Sequence, residues 1–128
     1  MKIAERFATG LVLLLVIGLG AAIFTYEQVL EQDRDCITIH MRTFEHGNPS
    51  PNTVRLKKGE PACLRFTSDD ATHGVNLPDF GIDSEPIFPG KWTYLRFTPE
   101  KSGSFSFVCT ITCSRGHSQV KGMIIVEE

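Results

Sequence analysis

The stretch Trp92–Val126, WTYLRFTPEKSGSFSFVCTITCSRGHSQVKGMIIV, alternates apolar and other residues along two runs and ends on a β-branched third. Trp92-Thr93-Tyr94-Leu95-Arg96-Phe97 and Ser104-Phe105-Ser106-Phe107-Val108-Cys109 have the period of half-buried strands, and Thr98 to Gly103 between them is turn material. Met123 to Val126 reads as a closing strand, with Met123 expected in the core. The loop before it spells Cys109-x3-Cys113-x3-His117, two thiols and an imidazole carried between strands. A loop hung between rigid strands is a good place for ligands.

Upstream the same pattern repeats in shorter pieces. Cys36-Ile37-Thr38-Ile39-His40-Met41 and Ala62-Cys63-Leu64-Arg65-Phe66 each put three apolar side chains on one face, and Thr53-Val54-Arg55-Leu56 lies between turn-rich segments. Roughly seven short strands, with no long helical periodicity and no internal repeat, suggest a β-sandwich or Greek-key barrel over residues 36–128.

The N-terminus has a different composition. Phe7 to Tyr26 is a run of uncharged residues long enough for a helix to cross a hydrocarbon core about 30 Å thick. Lys2 and Arg6 precede it and Glu27, Glu31 and Asp33 follow, so the positive-inside bias places residues 1–6 in the cytoplasm and the β domain outside. Residues 27–35 are expected to be a charged linker. A cleaved signal peptide ending near Gly20-Ala21-Ala22 is the alternative, although apolar character continues to Tyr26, as an anchor requires. A net charge of −2, with no basic stripe, excludes the electrostatic footprint of a nucleic-acid binder.

Cys and His donors suit copper, zinc or iron and suit calcium or magnesium poorly. A fourth ligand is needed, and His73, in a loop able to reach the same end of the sandwich, is the best candidate. Open alternatives are a Cys109–Cys113 disulfide and a structural zinc site. His40 and His46 are expected to be surface residues, Trp92 a packing residue, and Cys36 and Cys63 a candidate disulfide if their Cα atoms approach closely enough.

His73-Gly74, Pro89-Gly90, the turn at Ser102-Gly103, Cys109-x3-Cys113-x3-His117 and Gly122 before Ile124-Ile125-Val126-Glu127 together resemble the CuA domain of cytochrome c oxidase subunit II. The resemblance covers about residues 36–128 and is closer to single-anchor forms of the subunit than to the common two-helix form. It implies a cupredoxin fold with a dinuclear copper centre bridged by Cys109 and Cys113, with His73 and His117 on the two coppers and the Ile111 carbonyl as a further ligand. It also implies an electron-transfer subunit with no catalytic site of its own, placed in the inner membrane, with its domain in the periplasm and a role in a respiratory chain. Electrons would come from a c-type cytochrome or small copper protein and pass to a haem-copper oxidase subunit I or another membrane complex. The family pattern has a methionine three residues after the loop histidine, and this chain has Val120 there. A mononuclear cupredoxin shuttle and a Cu(I) carrier or assembly factor are the competing functions.

Overall fold

The computed structural model describes residues 2–128, and of Gln32 and Asp33 only the backbone. Met1, the first residue of the expected cytoplasmic segment, lies outside the described residues. The chain divides into two compact units, one ending at Asp35 and one spanning Cys36–Glu128.

The first unit is a single helix, α1, Lys2–Arg34. Its stretch Lys2–Glu31 is long and apolar enough to cross a membrane. The helix continues through residues 27–34, the stretch expected to be a charged linker. Glu, Gln, Leu and Arg there are good helix formers, and no Gly or Pro interrupts them.

The second unit is a β-sandwich with strands β1 (Cys36–Met41), β2 (Thr53–Lys57), β3 (Ala62–Ser68), β4 (Val75–Leu77), β5 (Ile82–Asp83), β6 (Thr93–Phe97), β7 (Gly103–Cys109) and β8 (Lys121–Glu127). One sheet has the order β1-β3-β6 and the other β2-β8-β7-β4-β5. The β1/β3 and β2/β8 pairs are parallel, and the remaining pairs are antiparallel. The expected strands all form. β4 and β5, absent from the sequence reading, are too short for alternation to register.

The inner faces meet in a core that includes Ile39, Met41, Leu64, Phe66, Leu77, Phe107 and Ile124, all fully buried. Phe66 and Phe107 come from opposite sheets and meet edge to face, with ring centroids 6.1 Å apart. Gly122 makes room for that packing, since a Cβ there would lie 2.2 Å from the tip of the Phe107 ring. Met123 is a correction, because it is exposed rather than in the core. It shares the outward face of β8 with Lys121, while Ile124 and Val126 point inward.

Cys36 and Cys63 stand opposite each other in the β1/β3 register and form a disulfide, with Cα atoms 4.5 Å apart. Trp92 sits half-exposed just before β6, with the Arg65 guanidinium 4.7 Å from its ring centroid. It is a surface packing residue.

Candidate metal centre

Strand pairing determines which chain segments meet at one end of the sandwich. β4 pairs antiparallel with β7 so that Val75 faces Cys109, and the next residues outward, Gly74 and Thr110, are joined by Thr110 N–H to Gly74 O at 3.1 Å. His73 is therefore brought beside Cys109. Two backbone hydrogen bonds with Ile87, at 3.0 and 2.8 Å, hold His73 in place, and it is completely buried. Gly74 leaves room for the ligand loop, since a Cβ there would lie 2.3 Å from Thr110 Oγ1 and 3.2 Å from Ile111 and would force a side chain to shift.

The ligand loop leaves β7 at Cys109 and returns at Val120, and these two residues close its neck through Cys109 N–H to Val120 O at 3.0 Å. Within it, His117–Gln119 makes one short helical turn. Cys109 and Cys113 are both free, with sulfurs 3.9 Å apart, well beyond the S–S bond length of about 2.05 Å. His73 Nδ1 lies 3.6 Å from Cys109 Sγ, and His117 Nδ1 lies 3.9 Å from Cys113 Sγ. The Ile111 carbonyl oxygen is 3.2 Å from Cys109 Sγ. Ligand atoms of His73, Cys109 and Cys113 all fall within 4.8 Å of one another, and His117 adjoins this trio through Cys113. All five residues singled out from the sequence thus meet at one end of the domain. Val120 is buried at the foot of the same loop.

The protonation chemistry is asymmetric. Burial pushes the Cys109 thiol up, but hydrogen bonds with His73, the Gly74 and Ile111 backbone and Cys113 outweigh it and bring it down to about 6. Burial and the negative charge on Cys109 push Cys113 up to about 11. For His73, burial disfavours the charged ring, yet hydrogen bonding to Cys109 and Asp70 prevails and raises it. Two thiol sulfurs, two imidazoles and a carbonyl oxygen, partly enclosed by apolar core, are a donor set for a soft or borderline metal ion.

The sequence alone did not reveal how His73 is supported. Its Nε2 meets Asp70 Oδ1 at 2.8 Å, and Asp70 Oδ2 meets His46 Nδ1 at 2.8 Å. Burial opposes the charge on Asp70, but hydrogen bonds from Thr43 N–H, His73, His46 and Ala71 N–H hold its carboxyl well below the usual range. The spacing Asp70-x-x-His73 was the available signal for one of these contacts; nothing in the sequence links His46 to Asp70 across 24 residues. His40 is likewise paired, with Nδ1 2.7 Å from Asp69, at the surface.

Comparison with known proteins agrees with this architecture. Residues 12–126 match the family model for a cupredoxin-like domain. Over 74 residues, 58% of this chain, it is 30% identical to the alternative cytochrome c oxidase subunit 2 of Bradyrhizobium diazoefficiens, and spans only 26% of that protein's length. The periplasmic domain of cytochrome oxidase subunit II of Bradyrhizobium japonicum is similar at 26% identity and a TM-score of 0.56, over 60% of this chain and 55% of that one. The metal-binding domain of the Cu(I)-exporting P-type ATPase of Streptococcus pneumoniae, solved with Cu(I), is similar at 28% identity and a TM-score of 0.56, over 73% of this chain and 85% of that one. With a family match that spans most of its length and the sandwich topology in place, the chain belongs to the cupredoxin-like domain family and has homology to cytochrome c oxidase subunit II.

Proposed function

We propose that this chain is a membrane-anchored copper protein that passes electrons, in the manner of the CuA domain of an oxidase subunit II. The observation that carries this is the clustering of donors: two sulfurs 3.9 Å apart, each with an imidazole nitrogen near it, at 3.6 Å from Cys109 for His73 and 3.9 Å from Cys113 for His117. Two thiolates shared between two metal ions need both sulfurs facing one space, and a single-cysteine site does not. His73, Cys109, Ile111 through its carbonyl, Cys113 and His117 are the proposed ligands. Copper, when bound, supplies a one-electron couple. The chain's own contribution is rigidity. His73 is fixed by β-bridge bonds to Ile87, and the loop is closed at its neck by Cys109 and Val120, so the donors need little rearrangement between oxidation states.

Helix α1 is the proposed single-pass anchor, with residues 1–6 cytoplasmic and the domain on the periplasmic side of the inner membrane. The proposed electron donor is a c-type cytochrome or small copper protein, and the proposed acceptor is a haem-copper oxidase subunit I or another integral membrane complex of a respiratory chain. The names of the subunit II relatives support this assignment.

A second reading, a Cu(I) carrier, is favoured by the likeness to the metal-binding domain of a Cu(I)-exporting ATPase. Copper titration of the full chain in detergent, followed by visible absorption and EPR, separates the two. The electron-transfer reading expects two coppers per chain and one unpaired electron spread over both, lost on Cys109→Ser. A single blue copper surviving Cys109→Ser would replace it with a mononuclear site on Cys113. Colourless Cu(I) released readily to an acceptor would replace it with the carrier.

A further inference from the structure

We infer that the short turn Phe44–His46 is a positioning element for the centre, and that His46 fixes the ring of His73 from the protein surface by way of Asp70. The β1/β3 register explains how residues so far apart in sequence meet. His40 pairs with Thr67 and Met41 with Ser68 in parallel, so the chain leaving β1 runs beside the chain leaving β3, and residues 43–46 pass along Asp69 and Asp70.

Asp70 is fully engaged from both directions. Its Oδ2 accepts Thr43 N–H at 2.8 Å and meets His46 Nδ1 at 2.8 Å, and its Oδ1 accepts Ala71 N–H at 2.7 Å and meets His73 Nε2 at 2.8 Å. An ionised carboxylate only accepts, so His73 Nε2 carries a proton and donates it to Asp70 Oδ1. His46 is itself two-thirds exposed, and its Nδ1 also lies 3.2 Å from Thr43 Oγ1. Without His46, one Asp70 oxygen loses a donor, and the carboxylate gains freedom to rotate away from His73.

The same turn reaches the other imidazole-bearing segment. Glu45 Oε1 accepts Gly116 N–H at 3.1 Å, one residue before His117. Phe44 packs on Gly116 so closely that a Cβ there would lie 2.7 Å from the Phe44 Cβ. One three-residue turn thus braces the His73 loop with His46 and the His117 loop with Glu45 and Phe44.

The ligand roles of His73 and His117 rest on the copper reading, but the bracing does not, and it can be tested without metal. In the metal-free, 15N-labelled full chain in detergent, the His73 ring of the wild type is expected to carry a slowly exchanging proton on Nε2. His46→Ala should make that proton exchange faster by about five- to tenfold, the scale of one lost hydrogen bond. His46→Asn, whose side-chain amide can donate from the position of Nδ1, should restore the wild-type pattern. Glu45→Ala should speed exchange of the Gly116 amide and leave the His73 ring unchanged. An unchanged His73 ring in His46→Ala, no rescue by His46→Asn, or equal loosening of both loops in each variant would overturn the inference. If the ring responses appear as expected and copper does not bind, the copper reading fails and the bracing stands.

Discussion

Val120 is nearly inaccessible and is tied to the centre by its backbone: its carbonyl accepts Cys109 N–H, and its N–H donates to His117 O, both at 3.0 Å. In the subunit II pattern that this chain resembles, a methionine stands at this position as a weak axial donor. A β-branched hydrocarbon donates nothing, so a copper ion held here would lack that small stabilisation of its oxidised state. Val120→Met is therefore expected to lower the reduction potential by roughly 40 mV if the thioether bond contributes about 1 kcal/mol. The larger side chain should also cost about 1–3 kcal/mol of stability through overpacking. Voltammetry of the two copper-loaded proteins checks the first effect, and a potential that holds or rises would remove Val120 from the axial position. Cys109, Cys113 and His117 stood out as candidates at this scale because Cys and His at C-x3-C-x3-H carry their chemistry in their identity, whereas Ile111 entered only through the resemblance to subunit II. His46 was not, because its role depends on a carboxylate that only the folded chain brings to it.

At the scale of elements, the short strand β4 does the most to build the centre, since its register against β7 sets His73 beside Cys109. Alternation cannot detect three residues, which is why β4 was missed although Gly74, at its edge, was singled out. The long strands were legible from their apolar period. Their parallel pairing was not, because period 2 says which face is buried and nothing about which neighbour lies alongside. Gly74 is the point where His73 and the ligand loop press together, with Thr110 Oγ1 2.3 Å from the place a Cβ would take. Gly74→Ala should destabilise the domain by about 1–3 kcal/mol and loosen the hold on copper. Adding Thr110→Ala should recover much of the loss, because Thr110 is exposed and its hydroxyl is the nearest obstacle. Denaturant unfolding of the three proteins measures both effects, and a Gly74→Ala protein as stable as wild type would show that the loop yields freely.

The whole molecule consists of a long apolar helix and a sandwich with its own core. The division was legible from composition, although the helix runs to Arg34, beyond the apolar stretch, since charged helix formers prolong it. A chain starting at Cys36 is expected to remain soluble and folded without detergent, with the Cys36–Cys63 disulfide formed and two titratable thiols, Cys109 and Cys113. Thiol counting and sedimentation of the truncated protein check this, and aggregation would show that the sandwich depends on the helix for its stability. The disulfide also decides how the sandwich bears mechanical load. A tug on the helix reaches the sandwich through Asp35 and Cys36, at the first residue of β1, which is an edge strand. Held by its ladder alone, an edge strand pulled from its end peels away one hydrogen bond at a time. The covalent tie to Cys63 instead passes the pull into β3, the middle strand of its sheet, so the sandwich hangs from its interior rather than from its hem.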